Sequence, residues 1–144
     1  MFDNNLQQKE IREALQAGQQ AIAHLEQARQ DLKSASGFGF ADMLGLDFIG
    51  GIGKHMKINN AAQQLEMAKA SVINFQGELY DVQGHLNFHI DLGGFLTFAD
   101  FFFDGLIADF MVQSKINNTI NQIDAALAHI HPIMADLYRM EREI

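Results

Sequence analysis

Three stretches of the chain place apolar residues at the three- and four-residue steps of a helix. In the first, about 5–35, Leu6, Ile11, Leu15, Ile22, Leu25, Ala28 and Leu32 are separated by Gln, Glu, Lys and Arg. That spacing gathers the apolar side chains on one broad stripe with a polar reverse face, and predicts a long amphipathic helix. The second, about 58–83, carries Ile58, Ala61, Leu65, Ala68, Val72, Phe75 and Leu79. Such an unbroken seam suits a helix packed at a shallow angle on near-parallel neighbours. The third, about 115–141, carries Ile116, Thr119, Ile123, Ala126, Ile130, Ile133, Leu137 and Met140, with Pro132 inside it. A proline there removes one backbone hydrogen bond and predicts a kink.

Residues 40–82 align without a gap on 98–140, an offset of 58. Phe40-Ala41-Asp42 falls on Phe98-Ala99-Asp100, Lys57-Ile58-Asn59-Asn60 on Lys115-Ile116-Asn117-Asn118, Gln64 on Gln122, and Leu79-Tyr80 on Leu137-Tyr138. Shared periodicity aligns apolar positions but has no reason to align Asp, Lys, Asn and Tyr, so the pattern predicts an internal duplication. Each unit reads as a short apolar helix, about 40–53 and 98–112, followed by a long amphipathic one. The expected architecture is all-α: an antiparallel bundle of three long helices plus two short apolar helices, in a single domain spanning 1–144.

Between the units, His85-Leu86-Asn87-Phe88-His89-Ile90-Asp91-Leu92 alternates polar and apolar and then meets Gly93-Gly94. Period two predicts an extended segment, read here as a connector laid across the bundle rather than as a paired strand. In the second unit Phe101, Phe102, Phe103, Leu106, Ile107 and Phe110 cover most of a helix circumference, which predicts burial on several sides. A membrane span over 92–112 is the rival, and Asp100, Asp104 and Asp109 oppose it, each costing about 2.5–3.5 kcal/mol at membrane depth. The excess apolar surface predicts a homodimer with those Phe-rich residues at its interface.

Charge narrows the partners. The formal charge is −8; residues 1–72 carry seven Lys or Arg against eight Asp or Glu, and residues 73–144 carry three against ten. Nucleic acid and anionic membrane both need basic side chains, and the acidic second half disfavours both. Cysteine is absent, so disulfides and thiolate metal sites are excluded. No basic segment followed by an apolar run opens the sequence, and a cytoplasmic protein is expected.

Candidate chemistry is sparse. Gly50-Gly51-Ile52-Gly53-Lys54-His55 resembles a phosphate loop only superficially: Phe48 and His55 stand where a Gly and a Ser or Thr are required. His85, His89, Asp91, Asp100 and Asp104 are the weak candidates for metal ligands, but on an extended segment His85 and His89 lie about 13 Å apart, too far for one ion. Glu-x-x-His pairs of the di-iron bundles are absent. No nucleophile, base and orienting group assemble into a catalytic set, so no catalytic residue and no cofactor is expected. Asp42 and Asp100 read as caps of the apolar elements, and Asn60 with Gln63 as a capping box. The leading expectation is a non-enzymatic helical interaction or scaffold protein acting as a homodimer, with a further protein partner allowed. Peripheral membrane or lipid-ligand binding stands second and a metal-dependent enzyme third.

Overall fold

The computed structural model of the chain describes residues 4–43, 47–85, 95, 97, 99 and 116–144, with side chains described at 5–34, 60–84, 95, 97, 99 and 116–144. The described residues form three long helices and contain no strand: α1, Asn4–Met43; α2, Asp47–His85; and α3, Ile116–Glu143. The all-α expectation holds, as do the three long helices. None of the described helices is long and apolar enough to cross a membrane.

Contacts fix the directions of the helices. Along the α1–α2 seam His24 meets Gln64, Gly18 meets Phe75 and Glu13 meets Glu78, so one number rises as the other falls. These two helices form an antiparallel hairpin. On its other side α1 meets α3: Arg29 with Asp124, Gly18 with Met134 and Arg12 with Glu141, again antiparallel. α1 is therefore the shared partner, with α2 and α3 running parallel to each other beside it.

The composition of α1 explains how one helix serves two neighbours. Its buried positions include Ile11, Leu15, Leu25 and Leu32, and also Ala14, Ala17, Gly18, Ala21 and Ala28, small residues that let helix axes approach closely. At Gly18 the approach is closest: a Cβ there would collide with the Sδ of Met134 and lie 3.0 Å from Cε1 of Phe75. The core is completed by Leu65, Val72, Phe75 and Leu79 from α2 and by Ile123, Ile130, Ile133, Leu137 and Met140 from α3. Phe95 adds to it, its ring edge-on to Phe75 with centroids 5.8 Å apart. Leu6, placed on the apolar stripe by its spacing, is instead 38% exposed.

Several local expectations are corrected. The first apolar element is not a separate short helix over 40–53: residues 40–43 end α1, and residues 47–53 begin α2 and run into its long amphipathic part without a break. Gly37, Gly39, Gly50, Gly51 and Gly53 all have helical backbone, because no proline enforces a stop and a glycine weakens a helix without forbidding it. Asn60 consequently lies in the interior of α2, where no free N–H groups need a cap, and Asp42 lies in the last turn of α1 rather than at a helix start. His85, assigned to an extended segment, is the final residue of α2. The second apolar element, 98–112, lies outside the described residues except for Ala99, which is helical and buried. Pro132 sits inside α3 on its exposed side, so the carbonyl four residues earlier, on exposed Ala128, is left facing water rather than buried.

Polar contacts fasten the rim. Arg29 donates through Nε to Asp124 Oδ1 at 2.6 Å and through a terminal nitrogen to Oδ2 at 3.5 Å, a two-pronged bond between α1 and α3. Gln19 donates to the Tyr138 hydroxyl at 2.8 Å. On the other seam His24 Nδ1 and Gln64 Oε1 are 3.1 Å apart.

Candidate functional sites: an acidic cluster and an uncharged helix face

The hairpin register brings together carboxylates that are remote in sequence. Glu10 and Glu13 are three apart on α1, Glu78 and Asp81 are three apart on α2, and each pair therefore lies on one helix face. Antiparallel packing sets the pairs opposite each other where the early part of α1 meets the late part of α2. One oxygen each from Glu10, Glu78 and Asp81 lie within 4.8 Å of one another. Glu10 is buried, at 9% exposure, Glu78 is half-buried and Asp81 is exposed.

The electrostatics of this cluster are unfavourable. Glu78 has its carboxyl pushed above the ordinary carboxylate value, first by burial and then by the negative charges of Glu13, Asp81 and Glu10, with a hydrogen bond to Glu13 adding to the effect. Its Oε2 is fully enclosed and has no hydrogen-bond partner. Among the described residues the basic side chain paired with these acids is Lys9, 3.8 Å from Glu13 in an exposed intrahelical pair. Beside the cluster an open crevice of about 240 Å³ is lined by Glu13, Gln16, Gln20, Asn74 and Glu78.

A second feature lies on the far side of α2. Ala70, Ile73, Gly77, Tyr80 and Gly84 are all exposed and follow each other by steps of three and four. Ile73 is 53% and Tyr80 55% exposed, while an added Cβ at Gly77 or Gly84 would touch nothing within 4 Å. These residues form an uncharged stripe about 21 Å long at 1.5 Å per residue. Large and small side chains alternate along it.

The residues singled out by sequence fare differently. His85 ends α2, and His89, Asp91, Asp100 and Asp104 lie outside the described residues, as do Phe101, Phe102, Phe103, Leu106, Ile107 and Phe110. The phosphate-loop lookalike at 50–55 is helical, a backbone whose N–H groups point along the axis and cannot wrap a phosphate. Sequence reasoning missed the acidic cluster. Its one signal is the pair of i, i+3 acid pairs, each of which reads alone as a solvated helix face. Comparison with protein-family models, with curated proteins and with solved structures finds no match for this chain.

Proposed function

We propose that the protein is a non-enzymatic helical interaction module that pairs with a second copy of itself through α2. The observation carrying this reading is the stripe Ala70, Ile73, Gly77, Tyr80 and Gly84, an exposed face with no charge on a helix whose opposite face is already committed to the core. Its pattern favours a second copy as occupant. When two α2 helices pair antiparallel about a two-fold near residue 75, Ile73 of one copy faces Gly77 of the other, and Tyr80 faces Ala70. Every layer then joins a large residue to a small one, as close packing requires. A parallel pair would instead set Tyr80 against Tyr80 and Gly77 against Gly77. The two-fold arrangement is self-complementary and closes, so it yields a dimer rather than a filament.

Sedimentation or light scattering of the full chain at micromolar concentration tests this: a dimer is expected, and Ile73→Glu shifts it to monomer without loss of helicity. The chain has no native cysteine, so single cysteines report the geometry. Gly77→Cys, whose two copies lie about 6 Å apart along the axis, cross-links readily, whereas the two copies of Gly84→Cys, about 27 Å apart along the axis, do not. A monomeric wild type overturns the proposal, and efficient cross-linking at 84 overturns the antiparallel arrangement.

We also infer that α2 and α3 descend from one copied helix. Buried mates such as Leu65 and Ile123, Val72 and Ile130, and Leu79 and Leu137 are compatible with this, but Leu25, Ala28 and Leu32 of α1 repeat the same steps as Leu65, Ala68 and Val72. The weight therefore rests on polar mates, Gln64 with Gln122, Asn60 with Asn118 and Tyr80 with Tyr138, which match in degree of exposure as well as in identity.

A further inference from the structure

We propose that Glu10, Glu78 and Asp81 form a binding site for a hard divalent cation of the calcium class. A cluster of acids on a helix surface is ordinarily solvated and needs no counter-ion. This one differs because the Oε2 of Glu78 is enclosed with no hydrogen-bond partner, and the side chain of Glu10, nine-tenths buried, sets a carboxylate oxygen close beside that of Glu78. An enclosed, unpaired carboxylate oxygen is costly, and proteins meet that cost with a proton, a basic side chain or a metal.

The first two remedies fall short here. Lys9 reaches Glu13 rather than Glu10, and among the described residues no Arg or Lys is paired with Glu10, Glu78 or Asp81. A proton on Glu78 satisfies the bond to Glu13 but leaves Glu10 and Asp81 as facing anions. A single cation placed among the three oxygens neutralises all of them together, and gives the enclosed Oε2 of Glu78 the partner it lacks.

Donor type and spacing select the ion. The set is all carboxylate, with no imidazole or thiolate, which suits Ca²⁺, Mn²⁺ or Mg²⁺ rather than zinc or copper. Ligands on opposite sides of Ca²⁺ stand about 4.6–5.2 Å apart, and those of Mg²⁺ about 4.0–4.2 Å. Oxygens within 4.8 Å of one another fit inside a calcium shell, and the flexible coordination of Ca²⁺ accepts ligands held by two separate helices more readily than the strict octahedron of Mg²⁺. Glu13, across the same seam, is a reserve ligand, and water fills the remaining positions. Exposed Asp81 provides the approach from solvent. The consequence is mechanical: the ion ties the early part of α1 to the late part of α2, holding together the ends of the two helices that are remote from each other in sequence.

The experiment is calorimetric titration of the full chain, freed of metal by chelator, with calcium chloride, followed by thermal unfolding with and without the ion. One calcium per chain and a raised melting temperature are expected, with a weaker response to magnesium chloride. Glu10→Gln and Asp81→Asn each lower calcium affinity at least tenfold, while Glu26→Gln, on an exposed part of α1, leaves it unchanged. Absence of heat and of a melting shift up to millimolar calcium overturns the proposal, as does binding that survives both substitutions. Should Glu10→Gln fail to fold, the Asp81→Asn titration decides alone, since that side chain is exposed. A wild type indifferent to calcium but stabilised by Glu10→Gln assigns the cluster to shared protons instead, and equally overturns the site.

Discussion

The Sδ of Met134 occupies the place where a Cβ on Gly18 would stand. The side chain of Met134 on α3 thus rests against the backbone of α1 at Gly18 and would have to shift to admit a side chain there, and Phe75 closes the same gap from α2. All three helices meet at this point.

Gly18→Ala trades a helix-propensity gain of about 0.8–1 kcal/mol against displacement of Met134 and Phe75, and yields no net stabilisation. Gly18→Val forces both neighbours to move and destabilises by about 1–3 kcal/mol. Gly77→Ala, made where nothing of the same chain lies within 4 Å, stabilises by about 0.5–1 kcal/mol on the monomeric Ile73→Glu background, where no second copy crowds it. Chemical denaturation of the three variants checks the ordering; a stabilising Gly18→Val would refute the close approach.

Phe75 is fully buried and carries the contact with Phe95. Phe75→Ala is expected to cost about 3–5 kcal/mol, while Phe75→Leu, which keeps most of the volume, costs distinctly less. Because a domain of this kind has about 5–15 kcal/mol in total, the alanine variant unfolds at far lower denaturant concentration.

Glu78 makes stability depend on pH with a definite sign. Its carboxyl holds a proton more tightly in the folded chain than in the unfolded one, so in the window between the two values the folded state binds more protons. Stability therefore falls as pH rises through that window and is regained on mild acidification. In chelator-treated buffer the melting temperature should rise as pH is lowered toward the ordinary carboxylate value, and Glu78→Gln should flatten the slope and raise stability at neutral pH.

Arg29 and Asp124 form a short pair, yet both are partly exposed, at 33% and 46%. Solvent screening limits such a bond to about 0.2–1 kcal/mol, and a double-mutant cycle with Arg29→Ala and Asp124→Ala should return a coupling within that range that shrinks in high salt.

Much of the helical content was legible in periodicity: the seams of α2 and α3 bury the residues that their spacing placed inward, from Leu65 to Leu79 and from Ile123 to Met140. The glycine-rich stretches misled, because a glycine weakens a helix by about 1 kcal/mol without forbidding it, and tertiary packing outweighs that sum. Phe95 went unrecognised as a core residue because it stands just beyond Gly93-Gly94, and only its contact with Phe75 shows its role.

The sequence by itself determined which residues turn inward on each helix, since a helical face depends only on the 3.6-residue period and on residue type. Tertiary structure alone decided which faces meet and at what height. Glu10 and Glu78 come together because α1 and α2 fold back on each other with Gln64 level with His24, and that register arises from the fit of Gly18, Phe75 and Met134 across three helices, a relation no local pattern contains.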